Sequence, residues 1–120
     1  MEKYILYARK STDTEDKQVL SIEAQLSELR KFARDNQLIV VDELIEKRTA
    51  KMPGRPVFDS MIKRIINGEA NGILAWHPDR LARNSVDGGQ IIYLLDQTLL
   101  NYLRFPVFQF ENTSQGKFML

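Results

Sequence analysis

Apolar and polar positions change period several times along this chain, and each change marks an element. Residues 2–9 read as a strand, with Tyr4, Ile5 and Leu6 as its apolar centre. Side chains in a strand alternate faces, so Tyr7, Arg9 and Ser11 project one way while Ala8 and Lys10 project the other. Residues 10–20 (KSTDTEDKQVL) form a polar connection. Ser21 is a candidate N-cap for a helix in which Ile22, Leu26, Leu29, Phe32 and Ala33 recur at helical spacing. Residues 37–45 (QLIVVDELI) form a second strand. EKRTAKMPGRP then breaks both periods, and Pro53, Gly54 and Pro56 mark an exposed loop. Phe58, Met61, Ile62 and Ile65 define a second helix, closed by Asn67 and Gly68. A third strand covers GILAW at 72–76, Pro78 and Asp79 open a short helix, and Ile91 to Leu103 belong to a longer one. FPVFQF at 105–110 is the fourth strand.

Strands alternating with helices predict an α/β fold with a central, largely parallel sheet of four to five strands flanked by helices. Ligands of such sheets sit beyond the carboxyl ends of the strands. There is no internal repeat or low-complexity tract, so residues 1–120 are expected to be one domain. After the loop ENTSQG, the last residues Lys117 to Leu120 read as the start of another helix. The chain is therefore expected to be a piece of something longer.

Composition narrows the function less than the pattern does. Hydrophobic residues make up 43% and charged residues 28%, ordinary for a globular domain of 120 residues with one core. A net charge of +1 does not mark a nucleic-acid binder, so local charge must carry that case. With no cysteine and one histidine, His77, a zinc site is not expected. No apolar run approaches the roughly 20 residues of a membrane span, and the N-terminus lacks a signal-peptide pattern. The reading is a cytoplasmic protein with no metal or small-molecule cofactor.

The candidate chemistry follows strands one and three. HPDRLARN places Arg80 and Arg83 three apart on a helix, facing one side, with Asp79 reaching that side at four. Alone, this motif also describes a surface helix start with Asp79 as N-cap, and Arg9-x-Ser11 alone describes a strand ending in a polar turn. Topology joins them, because strands one and three are expected to be near neighbours and both motifs follow carboxyl ends. Gln25 falls inside the apolar face of its helix, where it either satisfies core groups or reaches the site through them.

Three arginines and a serine around one point suit a phosphodiester. The arginine fork matches phosphate oxygens two at a time and keeps its charge. Fixed cations stabilise the charge that builds on the non-bridging oxygens during attack. Serine needs activation by its surroundings. A Ser-His-Asp hydrolase is disfavoured, since there is no G-x-S-x-G elbow and His77 is followed by a proline. A metal nuclease would want clustered carboxylates, whereas Asp13, Glu15 and Asp16 read as a solvated charge run. Residues 46–64 hold six basic side chains (Lys47, Arg48, Lys51, Arg55, Lys63, Arg64) against Glu46 and Asp59. That excess reads as an electrostatic footprint for DNA or as a solubilising loop. Trp76, Phe105, Phe108 and Phe110 read as core rather than as stacking platforms.

The ordered set YARKSTD, SIEAQ, GRP and DRLARN resembles the catalytic domain of the serine recombinases, the resolvase and invertase family. The long gap between Ser11 and SIEAQ resembles the large serine recombinases of phages and mobile elements. The resemblance implies that Ser11 is the nucleophile, that Arg9, Arg80 and Arg83 bind the phosphate with Asp79 beside them, and that Gln25 and Tyr7 belong to the site. It further implies that Arg55 is the arginine of a mobile loop, and that the family's helical lysine falls on Arg64, with Lys63 adjacent. DNA-binding residues are thus expected at Arg48, Lys51, Arg55, Lys63 and Arg64. The implied partners are double-stranded DNA and further copies of the chain, as dimers and as a tetramer during exchange, with neither ATP nor metal. Two other readings stand beside this one: a catalytically silent DNA-associated dimerisation module, and another phosphodiesterase or nuclease.

Overall fold

The computed structural model describes residues 2–10, 21–47 and 53–106. Their strands are β1 (Lys3–Arg9), β2 (Ile39–Glu46), β3 (Gly72–Ala75) and β4 (Tyr102–Arg104). Their helices are α1 (Ile22–Asp35), α2 (Pro56–Ile66), α3 (Pro78–Leu81) and α4 (Ser85–Asp96). The sheet is parallel throughout, in the order β2-β1-β3-β4, so β1 and β3 are direct neighbours.

Alternation along the strands divides the core into two layers. Tyr4, Leu6 and Ala8 of β1 pack with Leu74 against Leu26, Leu29 and Ala33 of α1. Ile5 and Tyr7 face the other way and pack with Ile73 and Ala75 against α2, α3 and α4. Because β1 is covered on both faces, it reads as a nearly continuous apolar run rather than an alternating one. Gly72 is required where β3 meets β1, since a Cβ there would stand 2.7 Å from the Tyr4 ring. Among the described residues, no helix is long and apolar enough to cross a membrane.

Local signals set several element ends. The Ser21 side chain accepts from the Ala24 amide and starts α1 as expected. Asn67 caps α2 and Gly68 takes φ +83°, the left-handed turn that glycine tolerates.

The last helix and strand differ from the sequence expectation. The helix begins at Ser85, where the Asn84 side chain accepts from the Asp87 amide, and it ends at Asp96. Thr98 takes φ +57° just beyond it, a stop that a β-branched residue does not advertise. Leu103, assigned by pattern to the helix, therefore lies in β4. That strand stops at Arg104, ahead of the predicted 105–110, of which 107–110 lie outside the described residues. The run from Ile91 to Leu103 is apolar enough for either element, and periodicity alone does not divide it.

Candidate active site

The carboxyl ends of β1 and β3 meet where the sequence places the chemistry. At the end of β1, Gln25 of α1 reaches across the core to the Arg9 backbone. Its amide donates to the Arg9 carbonyl at 2.9 Å and its oxygen accepts from the Arg9 amide at 3.4 Å. These two bonds hold the strand end two residues before Ser11. The Arg9 side chain turns toward α3, and its Nε donates to the Arg80 carbonyl at 3.3 Å. Ser11 itself lies outside the described residues, as do Arg48 and Lys51.

Arg80 and Arg83 do not share a helical face. The helix α3 ends at Leu81, so Arg83 stands beyond it and is exposed, whereas Arg80 is 4% exposed. A four-residue helix leaves its last carbonyls without partners of its own. Two buried arginines supply them: Arg9 donates to the Arg80 carbonyl, and Arg55 donates through Nη2 to the Leu81 carbonyl at 2.7 Å. Asp79 is the second residue of α3, not its cap, and its side chain lies outside the described residues.

Arg55 is not a surface cation of the basic loop. It is 1% exposed, with its guanidinium 4.1 Å above the Phe58 ring. Nη2 also donates to Asp87 at 2.9 Å, and Nη1 donates to the Tyr7 hydroxyl at 3.0 Å. Tyr7 in turn donates to Glu46 at 2.6 Å. The Glu46 carboxylate accepts from the amides of Val57 and Phe58 as well, so it satisfies the first turn of α2 from the end of β2.

Glu46 and Asp87 are the buried charges that sequence reasoning missed. By sequence Glu46 reads only as an acid of the basic segment, although its register partner on β1 is Arg9. The available signal was period two: Leu44 and Glu46 continue one face of β2. Asp87 carried a signal as well, standing three residues after the N-cap Asn84, the spacing of a capping box.

The remaining cations disperse. Lys47 and Lys63 are exposed. Arg64 stands about two and a half turns along α2 from Arg55, ~14 Å by rise. It is ion-paired with Asp42 at 2.7 Å and Glu69 at 3.2 Å, which holds the Asp42 carboxyl below its ordinary range. Two of the cations thus have partners supplied from outside the segment: Asp42 and Glu69 for Arg64, Asp87 for Arg55.

Burial pushes the Tyr7 hydroxyl far above its ordinary value of 10.0; Arg55 opposes this and the hydrogen bond to Glu46 adds to it. Tyr7 is therefore a neutral donor at working pH. Its raised value means that the folded state holds the proton more tightly than the unfolded chain. Stability is then intact below pH 10 and falls as pH rises above it, by about 1.4 kcal/mol per pH unit from this group. Urea unfolding between pH 9 and 11.5 should show that decline, and Tyr7→Phe should make it shallower by about the same slope. Equal slopes for both proteins would remove Tyr7 as the cause.

The buried Arg80, the exposed Arg83 and the strand end at Arg9 thus stand at one end of the sheet. Comparison with known proteins shows the family. The family "Resolvase, N terminal domain" matches residues 4–120. No curated protein matches by sequence. The N-terminal catalytic domain of TP901-1 integrase superposes with a TM-score of 0.71 at 21% identity, over 98% of this chain and 89% of that one. The C-terminal catalytic domain of ISC1926 TnpA, an IS607-like serine recombinase, gives 0.69 at 20% identity, over 86% and 69%. A resolvase family site-specific recombinase from Streptococcus pneumoniae gives 0.63 at 26% identity, over 85% and 70%. Since the family match runs from β1 to the last residue and the solved recombinase domains share the parallel sheet, the chain belongs to the resolvase family and is a serine recombinase catalytic domain.

Proposed function

We propose that Ser11 cuts DNA by transesterification, as the nucleophile of a site-specific recombinase. Its Oγ forms a bond to the phosphorus as the bond to the 3′ oxygen breaks, and the proton lost from Oγ is balanced by the one that the departing 3′ oxygen takes up. The products are a 5′-phosphoserine link and a free 3′-hydroxyl. The ester link conserves the energy of the broken bond, so the reverse attack by a 3′-hydroxyl of an exchanged strand rejoins the DNA without ATP or metal. Arg80 and Arg83 hold the non-bridging oxygens, Arg9 braces the turn that carries them, and Gln25 fixes the backbone leading to Ser11. Asp79 completes the DRLAR turn. Lys47, Lys63 and the cations at 48 and 51 provide sequence-independent attraction to the duplex. Further copies of the chain bring two DNA sites together for exchange, as dimers that pair into a tetramer.

The observation that carries this reading is the bond from Arg9 to the Arg80 carbonyl, which joins the strand end before Ser11 to the arginine turn. The test is to incubate the full-length protein with duplex DNA in EDTA and denature the mixture. Protein should be joined to 5′ ends through the peptide containing Ser11, leaving 3′ ends that a polymerase extends. Cleavage that needs magnesium and leaves no adduct would replace this reading with a metal nuclease.

The phosphate role of the two arginines has its own expected result. Arg80→Lys and Arg83→Lys keep the charge and lose the fork. Single-turnover cleavage should fall by about 10²–10³ in each, the usual cost of one lost donor to a transition-state oxyanion. Wild-type rates in both would leave these arginines as helix-end packing and surface charge.

A further inference from the structure

The Arg55–Asp87 ion pair is closed off from solvent. Its side chains are 1% and 2% exposed, and the pair spans 32 residues of sequence. A buried ion pair is weak evidence for stability, since apolar residues of similar volume commonly do as well. Its position calls for another reason.

Arg55 ties four separate elements together: the Tyr7 hydroxyl on β1, the Leu81 carbonyl ending α3, Asp87 in the first turn of α4, and the start of α2 where it stands. Asp87 is tied to the intervening turn as well. The Asn84 side chain donates to the Asp87 carboxylate at 2.8 Å and accepts from its amide at 2.9 Å. The turn 82–84, which carries Arg83 and follows Arg80, is thereby held at both ends by one ion pair.

We propose that Asp87, acting through Arg55, is a positioning residue for DNA cleavage: the buried pair sets where the Arg80–Arg83 turn stands relative to the end of β1. The inference rests on the recombinase reading. Neither side chain touches the phosphate. A displacement near 1 Å of a group that does touch it costs on the order of 100-fold in rate.

The test replaces both charges together, because removing one leaves the other buried and alone. Arg55→Met with Asp87→Leu keeps volume and removes the bridge to Tyr7 and Leu81. The full-length protein is assayed on a duplex carrying the sequence recovered from the wild-type protein's own covalent adducts. The double variant should melt within about 5 °C of wild type, bind the duplex with unchanged Kd, and cleave about 100-fold more slowly in single turnover. A core control, Ile65→Val, should cleave at the wild-type rate. Should the double variant fail to fold, Asp87→Asn keeps the shape and the cap while losing the charge. It should then cleave about tenfold more slowly at a temperature where it is fully folded. Wild-type cleavage by the folded double variant, or by Asp87→Asn in its place, overturns the inference and leaves the recombinase reading intact. A wild-type protein that forms no adduct overturns both.

Discussion

Ser11→Ala should bind DNA with the wild-type affinity and form no covalent adduct at all. The substitution removes one oxygen and leaves the proposed phosphate-binding cations in place. Binding depends on those cations through counterion release, so both Kd and its salt slope should be unchanged. Adduct formation has no substitute route, because water attack would give a free end rather than a protein link. The loss is therefore complete rather than graded, unlike the 10²–10³ expected for each arginine. A suicide duplex that traps the first cleavage, read on a denaturing gel, measures it. Adducts persisting in Ser11→Ala would move the nucleophile to another residue.

Arg55→Met alone should be the most damaging single change to the fold. It leaves the Asp87 carboxylate buried without its cation, and breaking such a pair typically costs about 3–5 kcal/mol. It also strips the Leu81 carbonyl of a donor and takes the guanidinium from above Phe58. Against a total stability of about 5–15 kcal/mol, that is a large fraction. For a domain of this size it corresponds to a fall in Tm of roughly 10–20 °C. Thermal unfolding followed by circular dichroism checks it. Adding Asp87→Leu should recover most of the loss, since the stranded charge is then gone. A drop of only a few degrees in Arg55→Met would show that water or a neighbouring group already compensates Asp87.

Much of the architecture was legible because it rests on local chemistry. The cap at Ser21, the glycine turn at Gly68 and the apolar stripe of α2 each lie within a few residues of one another. The pairing of β1 with β3 also followed, from the rule that alternating strands and helices make parallel neighbours. The boundary between α4 and β4 did not. It depends on a left-handed threonine inside an apolar run, and such a conformation is imposed by what packs on either side of it.

By itself the sequence determined the order of strands and helices and which polar residues follow the carboxyl ends of β1 and β3. Both are properties of neighbours along the chain, set by period, caps and turn residues. The tertiary structure decided which of those charges reach solvent. Arg55 and Lys63 looked alike in a basic segment, yet one is sealed under α3 and the other is exposed. The difference comes from Asp87 and Leu81, which lie 32 and 26 residues away. Glu46 shows the same dependence through a single bulge. The register of β2 against β1 shifts between Tyr4 and Ile5, and only after that shift do Leu44 and Glu46 fall beside Tyr7 and Arg9. Without it, every later side chain of β2 would face the other layer, and the carboxylate that holds Tyr7 and starts α2 would point toward α1. Burial, ion pairing and register are sums over residues distant in sequence, so only the folded chain sets them.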